Sequence, residues 1–260
     1  MPSISFQHAI TRTPGANFAD GLTTADLGVP DYERVLAQHA AYCAALRACG
    51  LELHQLEADL RYPDSTFVED AAVLTAHTAI LTHPGAASRK GEVAAIEPAI
   101  ARFYTRIRRI LAPGTLDGGD ICEAGSHFFI GLSERTNEEG ARQLAEFLAE
   151  DGFTASCVSA RGIPNILHLK SGISYLGDNN LVLIDAFAER PEFAGYNILR
   201  VSPEENYAAN CVRVNQHVLM PSGYPRLQSA IEALGYAVMP LDMSEYEKMD
   251  GGLSCLSLRF

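Results

Sequence analysis

The chain predicts an α/β fold organised as one domain over residues 1–260, and three observations carry the prediction. Stretches with a helical period and recognisable caps alternate with short apolar runs of strand type along the whole length. Helix starts fall near residues 31, 88, 137, 187 and 225, roughly forty to sixty residues apart, a repeat length typical of a supersecondary unit used several times. No Pro/Ser-rich linker or low-complexity tract interrupts the series, and 260 residues with 47% hydrophobic content suffice to bury one substantial core.

The first helix is predicted in DYERVLAQHAAYCAALRACG, with Asp31 as N-cap after Pro30, an apolar stripe through Leu36, Ala40, Cys43 and Leu46, and Gly50 as the stop. LELHQL then reads as a strand, and AVLTAHTAILT as paired strands before a helical stretch from Ser88 to about Tyr104. HFFIGL is a strand ahead of NEEGARQLAEFLAEDG, a helix capped by Asn137 and ended near Gly152. ISYLGDNNLVLI reads as a hairpin turning at Gly177–Asn180; short helices are expected around Phe187–Phe193 and over Pro225–Leu234.

Charge and cysteine usage narrow the classes. With 32 acidic against 20 basic residues the formal net charge is −12, which repels nucleic acid and anionic membranes and favours a small cationic ligand. No run of eighteen apolar residues occurs, and MPSISFQHAITRTPGANF lacks the basic front and apolar block of a signal peptide, so a soluble cytoplasmic protein is expected. The six cysteines are scattered without a CxxC pair, which suggests reduced thiols rather than a disulfide framework or a zinc knuckle.

Residues able to move protons or attack carbon fall into a few clusters. In PDSTFVEDAAV, Asp64, Glu69 and Asp70 intrude on an apolar, strand-like segment; strand alternation would send Glu69 and Asp70 to opposite faces with at least one of them open to solvent, and an edge strand or a turn without function is the plainer reading. LDGGDIC sets Asp117 and Asp120 on a tight bend whose glycines permit positive φ or close backbone approach, although a turn with solvent-facing aspartates is also an ordinary, functionless feature. The terminal MDGGLSC echoes it. His168 lies between Leu167 and Leu169 on an expected strand, where a histidine is more often a core or edge residue than a catalyst. A thiol nucleophile would change that balance, and both Cys255 and Cys211 are placed to be one or to be buried small hydrophobes. The carboxylates Asp64, Glu69, Asp70, Asp117 and Asp120 could instead hold Mg²⁺ or Ca²⁺ in a phosphate-processing enzyme, a reading weakened by the lack of a glycine-lysine phosphate loop.

Taken together, PDSTFVEDAAV, HPGAASRKGEV, LDGGDIC, GLSERTNEEGA, HLKSG, AANCVRVN and DGGLSCLSLRF stand in the order and approximate spacing found in the dimethylargininases (dimethylarginine dimethylaminohydrolases), which the sequence resembles from RTPGANFADGLT to its last residue. The resemblance implies the five-bladed α/β propeller of the guanidine-modifying superfamily, five ββαβ modules around a central channel, with the C-terminal segment tied down at the centre. It also implies hydrolysis of Nω-methylated arginine to citrulline and a methylamine. The nucleophile would be Cys255 and the acid and base His168, oriented by Asp117; Asp70 and Asp117 would bracket the guanidinium. Leu22, Asp64, Phe67, Glu69, Met249 and Asp250 would line the rest of the substrate site, with Arg89 and Arg135 receiving the α-carboxylate. Neither metal nor organic cofactor is required, although Zn²⁺ could inhibit such a site, and a homodimer is compatible. A deiminase acting on unmethylated arginine is the nearest alternative; a non-catalytic arginine-binding module is another.

Overall fold

The computed structural model describes residues 5–260, and its chain builds one repeating pattern: an antiparallel strand pair, a helical crossover, and a third strand parallel to the second. The first module holds β1 (His8–Arg12), α1 (Tyr32–Ala48) and β2 (Glu52–Leu56). The second holds β3 (Ala72–Leu74), β4 (Ala79–Leu81), α2 (Glu92–Ile100) and β5 (Ile107–Arg109). The third holds β6 (Ile121–Ala124), β7 (His127–Leu132), α3 (Glu138–Glu150) and β8 (Thr154–Ser159). The fourth holds β9 (Ile173–Gly177), β10 (Asn180–Ile184), α4 (Asp185–Ala188) and β11 (Asn197–Val201). The fifth holds β12 (Val212–Val214), β13 (His217–Pro221), α5 (Pro225–Ala233) and β14 (Ala237–Leu241), followed by α6 (Ser244–Glu247).

The last strand, β15 (Leu258–Arg259), pairs antiparallel with β1 and supplies the strand that the first module lacks. The result is five three-stranded sheets, the α/β propeller expected from the family resemblance. The first strand of every module, counting β15 for the first, contributes to the wall of a central cavity of about 320 Å³. The C-terminus is therefore a structural closure. Backbone bonds from Gln7 and His8 N–H to the Phe260 carbonyl fix it.

Local chemistry accounts for several element boundaries. Asp31 accepts from the Arg34 N–H and Asn137 from the Gly140 N–H, the two caps read in the sequence. In the β9–β10 hairpin Asp178 and Asn179 have φ of 50° and 65°, the pair of left-handed residues a tight two-residue turn needs. On α3, Ala141, Leu144 and Leu148 pack against Phe128 and Ile130 of β7.

Four expectations need correction. The buried stripe of α1 is Val35, His39, Tyr42 and Leu46, with Cys43 beside it, whereas Ala40 is exposed. Two members of that stripe carry polar tips, satisfied internally: Tyr42 and Ser257 share a hydroxyl hydrogen bond of 2.6 Å, and burial pulls the His39 imidazole down to about 4, which keeps it neutral. The second helix is shorter than predicted, because Gly91, packed against Tyr62, separates it from a 3-10 turn at Ala87–Arg89. The Pro63–Ala71 segment is two successive 3-10 turns, not a strand, so Glu69 and Asp70 are both buried. His168 likewise precedes a 3-10 turn at Leu169–Ser171 instead of lying within a strand.

Candidate active site

The chemistry collects at one end of the central channel in a narrow pocket of about 20 Å³, separate from the larger cavity behind it. Its lining includes Leu22, Asp64, Phe67, Asp70, Arg89, Arg135, His168, Met249, Asp250 and Cys255, so segments far apart in the sequence meet in one place. Each comes from a turn or loop: Asp70 and Cys255 from the 3-10 turns before β3 and β15, and His168 from the residue that opens the 3-10 turn before β9.

Close backbone packing is what the glycine pairs provide. A Cβ on Gly118 would stand 2.0 Å from the Glu69 carbonyl oxygen, and one on Gly119 would stand 2.8 Å from both Asp70 Oδ1 and His168 Nδ1. In the terminal motif, Gly251 packs on the Phe67 ring and Gly252 on the Asn210 amide. The two similar motifs thus serve the same end, pressing two turns against neighbouring turns so that their side chains converge.

His168 Nε2 lies 3.1 Å from Asp117 Oδ2 and 4.0 Å from Asp70 Oδ1. Burial disfavours the imidazolium, but the charge of Asp70, the hydrogen bond to Asp117 and the charge of Asp120 outweigh it and raise the group to about 9. His168 is accordingly an imidazolium at neutral pH. Burial also works against the Asp70 carboxylate, yet His168, Arg89 and the Gly119 N–H hold it down at about 2. Asp117 is fully buried and accepts from the Gly85 N–H at 2.9 Å.

Cys255 occupies the 3-10 turn Ser254–Leu256 and keeps part of its surface exposed. Burial first, then the charges of Glu69 and Asp70, push its thiol up to about 12. The resting pair is thus a neutral thiol and a charged imidazole. A cation entering between the carboxylates would stabilise the thiolate and oppose the imidazolium, shifting both groups in the direction that nucleophilic attack and proton donation require.

Two of the family-implied positions have other engagements. Arg89 is buried, donating through Nη1 to Asp70 at 2.5 Å, through Nε and Nη2 to Glu92, and through Nη2 to the carbonyls of Asp64 and Phe67. Most of its fork is committed to holding the first turn together. Arg135 is freer, with Nη1 3.9 Å from Asp117 Oδ2. The Glu69 carboxylate faces the larger cavity, where it accepts from Lys170 Nζ at 2.5 Å and from Ser254 Oγ at 2.8 Å. These three side chains lie at the partition between the two spaces, and each is at most two residues in sequence from a pocket residue: Asp70, His168 or Cys255.

At the mouth, the Leu22 N–H donates to Asp64 Oδ1, and Asp250, with φ of 55°, accepts from the Thr24 N–H and from both the Thr23 and Thr24 hydroxyls. Asp250 is thereby a tie for the segment carrying Leu22. Met249 is buried, and the Phe67 ring forms a wall backed by Phe18 and Tyr246.

Two contributors have roles that their sequence context does not announce. Asn210 accepts from the Ser254 N–H and donates to Ser254 Oγ and the Lys170 carbonyl, joining the cysteine turn to the segment after His168. Asp120 accepts from the Leu169 N–H and from Ser133 Oγ, fixing the backbone beside His168. An Asn beside an apolar Cys, and the second aspartate of a repeated turn motif, were the available hints. For metals, Asp70, Asp117 and His168 bring one ligand atom each within 4.8 Å of one another. The first two already hold Arg89 and His168, and a metal would have to displace the His168 proton.

The sequence model of the arginine deiminase family matches residues 63–219. The N(G),N(G)-dimethylarginine dimethylaminohydrolase of Pseudomonas aeruginosa is 50% identical over 98% of this chain and 100% of its own length, and that of Streptomyces coelicolor is 34% identical over 100% and 98%. A crystal structure of the Pseudomonas aeruginosa enzyme, a cysteine-to-serine variant complexed with citrulline, superposes with a TM-score of 0.96 at 49% identity, covering 99% of this chain and all of that one. The N-terminal domain of a cyanobacterial arginine dihydrolase shares the fold at 16% identity, with a TM-score of 0.87 over 98% of this chain and 97% of that one. Near-full-length identity and a shared propeller agree, and the chain belongs to the dimethylarginine dimethylaminohydrolase family.

Proposed function

We propose that the protein hydrolyses Nω,Nω-dimethyl-L-arginine, and Nω-methyl-L-arginine, to L-citrulline and dimethylamine or methylamine, with residues 1–260 acting as one catalytic unit. The observation that carries this reading is the convergence of Cys255, His168 and Asp70 on one pocket, with the Asp117 carboxylate 3.1 Å from His168 Nε2.

A guanidinium carbon is a weak electrophile because its charge is shared among three nitrogens. Asp70 and Asp117 would hold the cation in a fixed plane and draw that charge toward the nitrogens they bond. As the cation enters, the Cys255 proton passes to solvent and the thiolate adds to the guanidinium carbon. His168 gives its proton to the departing dimethylamine, leaving an S-alkylthiouronium on Cys255. The now neutral His168 takes a proton from water, the hydroxide adds to the same carbon, and the C–S bond breaks as the hydroxyl proton passes to the departing sulfur, releasing citrulline and restoring the neutral thiol and the imidazolium.

Arg135, which lines the pocket, would receive the substrate α-carboxylate, and Asp64 and the Leu22 backbone, joined by a hydrogen bond, would receive its ammonium end. Because Arg89 is committed to Asp70 and Glu92, its part would be to fix the Asp70 carboxylate as well as to add positive potential at that end. Among the described residues no helix is long and apolar enough to cross a membrane, and all six cysteines are free, which suits the reducing cytoplasm we propose for it. A homodimer is compatible with the same reading and is checked by sedimentation.

The test is to incubate the protein separately with asymmetric dimethylarginine and with arginine, measuring citrulline and the released amine, in wild type and Cys255→Ser. Dimethylamine and citrulline in equal amounts, lost in the variant, support the proposal. Ammonia released from arginine alone would assign a deiminase instead.

A further inference from the structure

On the sheet of the first module, outside the active pocket, three ligand-type side chains converge: His8, Glu52 and His54. We propose that they form a binding site for a divalent late first-row transition ion, with Zn²⁺ as its natural probe.

The strand register produces the cluster. β1 and β2 run parallel with His8 opposite Glu52 and Ile10 opposite His54. Glu52 and His54 are two residues apart on β2, so the pleat turns both to one face, and His8 stands on that same face as the partner of Glu52. His8 Nδ1 lies 3.2 Å from His54 Nε2 and 3.6 Å from Glu52 Oε2, while His54 Nε2 lies 3.7 Å from Glu52 Oε1. Tetrahedral Zn²⁺ with bonds of about 2.0–2.1 Å sets its ligand atoms about 3.3–3.4 Å apart, so small side-chain rotations would seat the ion.

The surroundings favour the same reading. The His8 and His54 rings pack against Phe103 at centroid distances of 5.1 Å and 4.7 Å, and His8 also meets Phe260 at 5.5 Å, which restricts both imidazoles without covering the carboxylate. Side-chain exposure is 29% for His8, 13% for His54 and 68% for Glu52, leaving a route for the ion and a fourth position for water. Two imidazoles and one carboxylate suit Zn²⁺, Cu²⁺ or Ni²⁺ better than Mg²⁺ or Ca²⁺, which prefer all-oxygen sets. Occupation would join β1 to β2 in the sheet that also contains β15, the strand anchoring the Cys255 segment, and would stabilise the fold by linkage.

The experiment must separate this site from Asp70, Asp117 and His168. Zn²⁺ would be titrated by calorimetry, and Co²⁺ by visible absorption, into wild type, Glu52→Gln, His54→Gln and Asp117→Asn, with Tm recorded with and without Zn²⁺. The expected result is one Zn²⁺ that persists in Asp117→Asn, binds at least tenfold more weakly to Glu52→Gln and is lost in His54→Gln, together with its rise in Tm. Glu52 is largely exposed, so its replacement leaves folding intact. Zn²⁺ binding unchanged in both Glu52→Gln and His54→Gln, wholly dependent on Asp117, or absent altogether would overturn the proposal and leave an ordinary imidazole pair.

Discussion

Asp117 Oδ2 and His168 Nε2 stand 3.1 Å apart, a buried carboxylate against the ring nitrogen of an imidazolium. In Asp117→Asn the opposing charge disappears and the His168 pKa should fall from about 9 toward the ordinary histidine value. If His168 must be protonated to release the amine, kcat/KM in wild type declines as pH rises through about 9, and in the variant the same decline begins at lower pH. A loss of about 10²–10³ in kcat is expected alongside. An alkaline limb that does not move would assign it to another group.

The Cys255 thiol, raised to about 12 by burial and by Glu69 and Asp70, should show no thiolate absorbance at neutral pH in the free protein. Saturation with a non-hydrolysable guanidinium ligand should lower that transition by a unit or more. A free-protein value below 7 would contradict activation by the incoming cation.

Arg89 and Arg135 look equivalent as sequence, but their surroundings predict different losses. Arg89→Ala removes the ion-pair partner of buried Glu92 and one of the partners of buried Asp70, and should cost about 3–5 kcal/mol of stability. Arg135→Ala should leave denaturant unfolding nearly unchanged and raise KM. Equal stability losses in the two variants would count against the distinction.

Asn210 is a positioning residue, holding the Ser254 and Lys170 backbones from one amide. Asn210→Ala should reduce kcat by about 10²-fold with a smaller change in KM, as a misplaced nucleophile does. Asn210→Asp retains the acceptor for the Ser254 N–H but not the donor to the Lys170 carbonyl, and should recover part of the loss.

The fold was legible where local chemistry decides it: the Asp31 and Asn137 caps, the Asp178–Asn179 turn and the HFFIGL strand all stand where the sequence puts them. The number of modules followed from the family resemblance, since β15 completes the first sheet from the far end of the chain and no local pattern announces such a closure. Site residues were legible as types, not as partners. Strand alternation misled at Glu69 and Asp70 because the segment is wound into 3-10 turns whose carbonyls bond Arg89, a residue about twenty positions away. Asn210 was hidden, and Asp120 was legible only as a turn carboxylate, for the same reason: their roles are contacts between turns, and those exist only once the ring has closed.

The most direct test is to mix His168→Gln with asymmetric dimethylarginine, quench, and determine the mass of the C-terminal peptide containing Cys255. Slowed hydrolysis should leave an adduct on Cys255 equal to the substrate less dimethylamine, absent from Cys255→Ser. An unmodified peptide throughout a slow but measurable production of citrulline would contradict covalent catalysis by Cys255.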